Sequence, residues 1–248
     1  HCSSAASDVY KRQLLILAVL MFLLLGDLND GAGPAPAQRL EWHAITAGLR
    51  ECLASLSFWV GTLYFLGLFS CFLALEDLWN IRFQIDVFAH KPNLAATINA
   101  MPVIGLAIGG VISGLWAERS GLERPARWFS ALALLMMMLL LSARLSEGVA
   151  FVVLFLLGFG LGAAPIGLSF VRQQLSKRAS AVVSPLLLTF VFMGAGALMS
   201  LVGRELSGDA VLSFSAYQDA MTAFIVPVAI AVALALLISS SSPTRTRA

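Results

Sequence analysis

Of the 248 residues, 59% are hydrophobic and 12% are charged, with a formal net charge of +2 at pH 7. A soluble domain carries about 25% charged residues, so this chain cannot build an ordinary aqueous surface and reads as an all-α, polytopic membrane protein whose main partner is the lipid bilayer. The small net charge, with no basic stripe interleaved with aromatics, excludes nucleic acid as a partner.

The chain begins HCSSAASDVYKRQ, a polar leader set directly against an apolar run. Back-translated, residues 3–13 resemble the in-frame reading of a transposase sequencing adapter, so residues 1–13 are expected to be an adapter-derived artefact. Residues 14–25 (LLILAVLMFLLL) fall short of the ~20 apolar residues a span needs and are expected to be an incomplete first membrane helix. Residues 26–56 open as a loop rich in Gly, Pro and Ala. They continue as RLEWHAITAGLRECLASL, where Leu40, Ile45, Leu49 and Leu53 recur near helical spacing. That pattern predicts an amphipathic helix on the membrane surface, within a linker. Six further apolar stretches follow, at about 57–79, 94–116, 128–143, 149–171, 181–202 and 222–238, with a polar tail at 239–248.

Sidedness follows from Lys and Arg in the connectors. One set holds Arg39, Arg50, Arg119, Arg124, Arg127, Arg172, Lys177, Arg178, Arg245 and Arg247; the alternate set holds only Arg82, Lys91, Arg144 and Arg204. The alternation keeps phase through six connectors, so the richer side is expected to be cytoplasmic, with the C-terminus there. The abundance of Arg over Lys points to a GC-rich bacterium and hence to the cytoplasmic (inner) membrane as the expected location.

The stretches also differ in kind. The first, fourth and seventh are nearly uniform apolar cylinders, in which Met136 to Met138 read as lipid-facing filler. The second, third, fifth and sixth carry Gly and polar side chains. Pairs four apart, Gly105/Gly109, Gly110/Gly114 and Gly158/Gly162, suit close helix approach. Beyond the first stretch the order is lined, lined, greasy, twice over, which predicts two triplets around a shared cavity. Pro165 and Pro227 mark expected bends.

The connector GLWAERSGLERPAR resembles the G-x-x-x-D-[RK]-x-G signature of the major facilitator superfamily of secondary transporters. Gly114, Arg119 and Gly121 match, and Glu118 stands in place of Asp. GLRECLASLSFW, LEDLWNIRFQ and LGFGLGAAPIGLSFVRQQL are similar to sugar-phosphate-permease-like members. The resemblance covers residues 14 to about 238 and implies the C-terminal six-helix half, residues 57–238. Residues 14–25 would then end the last helix of a missing N-terminal half, and 26–56 would be the central cytoplasmic linker. It further implies that Gly114, Glu118, Arg119 and Gly121 form a cytoplasmic gate; a solvated basic loop that anchors topology is the alternative. Glu76, Asp77 and Asn80 stand at an outer mouth, able to bind a coupling proton or cation or simply to be wet interfacial groups. Tyr64, Asn99, Ser169, Ser184 and Thr189 are neutral candidates for hydrogen bonds to a solute, or to neighbouring helix backbones.

The expected function is a secondary active transporter of a small polar organic solute working by alternating access, inactive alone as a partial chain. A transporter-like sensor would use the same cavity. An intramembrane enzyme is not expected: no span holds a histidine, and GLSF around Ser169 lacks a second glycine for a nucleophile turn. Cys2, Cys52 and Cys71 show no metal-ligand spacing, and no motif for a cofactor is present.

Overall fold

The computed structural model describes residues 42–142, 144–207 and 213–238. The expectations for residues 1–41 and 239–248 lie outside the described residues. Every regular element among the described residues is helical, and six helices are long and apolar enough to cross a membrane, which makes this a multi-pass membrane protein.

The amphipathic pattern before the second stretch forms α1 (Trp42–Ala54). It turns Gly48 and Cys52 inward and leaves Leu49 and Leu53 exposed, the side suited to a headgroup layer. A single residue, Ser55, extended at φ −89°, separates it from α2 (Leu56–Phe88). The sequence predicts an end near Trp79, where apolarity stops. Instead the helix continues through a π turn at Leu75–Trp79 into the amphipathic segment Asn80–Phe88. At 33 residues it is about 50 Å long, well over the ~30 Å hydrocarbon core, so its last turns project beyond the apolar zone. It stops at Ala89 in the left-handed region, φ 52°, with His90 N donating back to Gln84 O at 3.2 Å.

Helix α3 (Pro92–Ser120) starts with proline at its first position, where the missing N–H costs nothing, and ends on Gly121 at φ 83°. Then come α4 (Glu123–Ser142), α5 (Glu147–Gln174), α6 (Lys177–Leu206) and α7 (Phe214–Ala235). Both expected proline bends coincide with irregular backbone: α5 is interrupted just before Pro165, and α7 carries a 3-10 turn at Thr222–Phe224 just before Pro227.

The packing has an internal symmetry. Helix α2 packs on α6 as α5 packs on α3; α2 packs on α7 as α5 packs on α4; α2 meets α5, and α4 meets α7. Exchanging the triplet α2–α4 for α5–α7 maps these pairs onto themselves. Burial, however, does not divide the helices into lined and greasy. The enclosed pair is α2 and α5, with 72% and 61% of their apolar windows buried, against 50% for α4, 33% for α3 and 28% for α6. Correspondingly, Met136 and Met137 are buried and only Met138 faces outward, which corrects the reading of all three as lipid-facing. Helix α4 sits against both α5 and α7, and Met136 and Met137 belong to the buried core.

Close contact between lipid-soluble helices needs small residues, because lipid is as apolar as a side chain and only van der Waals packing favours association. The α3–α5 crossing has them. A Cβ added at Gly105 or Gly109 would strike the backbone of Phe155 or Phe159, and one at Gly158 would strike Pro102. At Gly162 it would lie 2.6 Å from Gly110 N. Gly114 has nothing within 4 Å of its would-be Cβ, so the expected close approach there is not made.

Candidate functional site

The crossing of α3 and α5 is also where regular hydrogen bonding fails. Pro165 has no N–H to offer Leu161 O, which takes Ala164 N at 3.0 Å instead. The shift passes along the chain: Ile166 N goes to Ala163 O and Gly167 N to Ala164 O, each at 3.0 Å. Gly162 O is thereby left without its helical donor. Ser113 on α3 is buried opposite it, its hydroxyl 3.1 Å from Gly110 O and 3.4 Å from Gly162 O. Irregular backbone at membrane depth survives only when buried in protein or lining a cavity. Here it does both.

Directly beyond the break, towards the end of the bundle that carries Arg119 and Arg124, lies a pocket of about 290 Å³ between α3 and α5. Ser113, Gly114 and Glu118 line it from α3, and Pro165, Ser169 and Gln173 from α5, with Leu122 closing one side. Three residues predicted from sequence for two separate roles, Ser169 for the cavity and Gly114 and Glu118 for the gate, thus meet in one pocket. Ser113 and Gln173 were missed. Ser113 could have been found as the one hydroxyl within the glycine-rich face of α3; Gln173 carries no such signal.

The contacts that the signature implies for a gate are not made among the described residues. Glu118 and Arg119 are exposed, and among the described residues neither makes an ion pair or hydrogen bond. Arg127 instead reaches across to α7, its Nε donating to Ala235 O at 3.4 Å, where it satisfies a carbonyl at a helix C-terminus. Gly121 serves to end α3.

A second polar cluster occupies the opposite end. On the π turn and the segment after it, Glu76, Asn80 and Gln84 share a face and meet Asn99 of α3. Gln84 Nε2 donates to Asn80 Oδ1 (3.4 Å), Asn80 Nδ2 to Asn99 Oδ1 (2.7 Å), and Asn99 Nδ2 to both Glu76 O (3.0 Å) and Glu76 Oε1 (3.4 Å). All three amides are buried, so they form a one-way chain that ends on a carboxylate. Gln84 Oε1 is buried without a partner. Asp77 is exposed and lies beside the Glu76 carboxyl. Nearby, Tyr217 Oη donates to Asp86 Oδ2 at 2.5 Å, tying the projecting end of α2 to α7.

The remaining predicted residues are spoken for locally. Tyr64 is fully buried and donates to Ala126 O of α4 at 3.3 Å. Asn99 is held in the amide chain. Ser184 accepts from Arg172 Nη2 at 2.6 Å. Thr189 is exposed and bonds back to Pro185 O of its own helix at 2.8 Å. Of the five cavity candidates, Ser169 lines the pocket between α3 and α5.

At the end shared with the pocket, α1 is fastened to α6. Glu51 accepts from Ser176 N at 2.9 Å and Ser176 Oγ at 2.8 Å, and Ser176 Oγ in turn accepts from Ala179 N at 3.3 Å. Carboxylate and hydroxyl together satisfy donors that a helix N-terminus leaves open. The Ser176 backbone N–H holds the Glu51 carboxyl below the ordinary carboxylate range. Burial pushes the neighbouring Cys52 thiol up.

Set against protein-family models and against curated protein sequences, the chain matches none.

Proposed function

We propose that this chain is the C-terminal six-helix portion of a secondary active transporter of the major-facilitator type, moving a small polar organic solute by alternating access. The observation that carries the reading is the interrupted α5, broken above a polar pocket at its crossing with α3. A spanning helix that gives up regular hydrogen bonds beside a cavity is a recurring construction for solute sites in transporters. The exchange symmetry of the two triplets supports it, since repeated triplets are the framework on which one half rocks against another. The pocket then belongs to the cytoplasmic side, by the excess of Arg in its connectors, and the membrane is the cytoplasmic one.

The exposed faces of α3 and α6 are the seat for a companion N-terminal helical half. The amide chain ending on Glu76 is the candidate for a coupling proton or ion. The test is flux: the complete reading frame, purified and reconstituted in proteoliposomes, accumulates a solute under an imposed proton or sodium gradient. Absence of gradient-driven flux across a panel of amines, sugars, organic acids and phosphorylated solutes would overturn the proposal, and solute binding without flux would favour a sensor.

A further inference from the structure

We infer that the pocket between α3 and α5 binds the primary ammonium group of a small organic amine, with Glu118, Ser169 and Gln173 as its acceptors. The inference rests on the transporter reading only in naming its solute class; the site itself is argued from the pocket.

The charge balance comes first. Glu118 is the one ionisable side chain among the lining residues, and it has no ion pair among the described residues. The two nearest cations in sequence are not part of the lining: Arg119 follows Glu118, and Arg172, which precedes Gln173, is engaged with Ser184. A carboxylate facing a partly apolar recess without a counter-charge favours a cationic guest.

Donor count decides which cation. Ser113 has already spent its proton on the backbone at the α5 break. Glu118, Ser169 and Gln173 have no partner among the described residues, which leaves three acceptors around one space. A primary ammonium carries three N–H donors. A metal ion is a poorer match, because a hard cation draws six or more oxygens to within ~2.0–2.6 Å. A 290 Å³ pocket has room for about ten waters and supplies a single carboxylate. The rest of the wall, Leu122, Ile166 and Pro165, is apolar and suits a hydrocarbon body of similar size.

The probe is phenethylamine, with phenethyl alcohol as the neutral analogue and tetraethylammonium as a cation without N–H donors. Binding is measured by isothermal calorimetry on the complete protein in nanodiscs, alongside proteoliposome flux. Phenethylamine is expected to bind, and Glu118→Gln to weaken it about tenfold to a hundredfold. Ser169→Ala and Gln173→Leu weaken it less, all without a change in melting temperature; the alcohol and the quaternary ion bind more weakly than the amine. Equal binding by Glu118→Gln, equal binding of the alcohol, or no amine binding would overturn the inference. Flux of some other solute without amine binding would leave the transporter reading standing and remove this one. Glu118-dependent binding without any flux would do the reverse.

Discussion

At the residue scale, the polar groups of this bundle divide into those that satisfy themselves and those that depend on another helix. Thr189, Ser200 and Thr97 bond to the carbonyl four residues earlier on their own helix, so each is indifferent to its neighbours. Thr189→Ala is accordingly expected to change stability by no more than about 0.5 kcal/mol. Asn99 is the contrary case. Removing its amide strands Asn80, which is wholly buried, and frees Glu76. Asn99→Ala should cost about 1–3 kcal/mol, read as a lowered melting temperature in detergent; a loss no larger than that of Thr189→Ala would show the chain of amides to be idle. Glu51 gives a pH signature. Its folded carboxyl lies below its usual value of 4.5 through the Ser176 N–H, so between those two values the unfolded chain binds the extra proton. Its contribution is complete above the ordinary value and fades as pH falls through the folded one. The melting-temperature gap between the native protein and Glu51→Gln should hold steady down to about pH 5 and close below it. A gap that widens on acidification would refute the clamp.

At the element scale, the glycines of α3 and α5 make opposite predictions from one residue type. Gly→Ala inside a helix ordinarily stabilises by up to about 1 kcal/mol, and Gly114→Ala, facing open space, should do so. Gly158→Ala would drive a methyl into Pro102 and should destabilise by about 1–3 kcal/mol, seen as an earlier midpoint in SDS titration. Equal effects at both positions would mean the crossing is not tightly fitted. These glycines also mark how far the sequence could be read. Six helices long enough to span, the helix before them and irregular backbone at both prolines were legible, because run length, period and a missing N–H act locally. Spacing four apart identified Gly105/Gly109 and Gly158/Gly162 correctly, yet the same spacing at Gly110/Gly114 carries no contact at Gly114, since its face meets no neighbour. The rotation of a helix about its axis is set by what it packs on, and for that reason the sequence left open whether Tyr64 and Asn99 meet a solute or a neighbouring helix; both are bonded to neighbouring helix segments. The projecting end of α2 was missed for another reason: hydropathy falls at Trp79 while helical geometry, carried through the π turn, does not.

At the scale of the whole molecule, one symmetry operation and one charge bias together predict an orientation that can be measured. Connected antiparallel spans alternate sides, so the connector around Asn93 and that around Ser207 share a face, and the α1–α2 junction at Ala54 lies on the other. In the proposed orientation, argued from the excess of Arg, the Ala54 side is the cytoplasmic one. Among the described residues the native thiols, Cys52 and Cys71, are both fully buried, while Ala54, Asn93 and Ser207 are exposed; a Cys2→Ser background removes the third native thiol. In intact cells expressing the protein, a membrane-impermeant maleimide should therefore modify Asn93→Cys and Ser207→Cys, and should reach Ala54→Cys only after permeabilisation. Labelling of Asn93→Cys and Ser207→Cys from opposite sides would break the alternation and, with it, the pairing of the two triplets. Labelling of Ala54→Cys alone in intact cells would keep the fold but invert it, moving the Glu118 pocket to the outer face and reversing the direction from which a solute enters it.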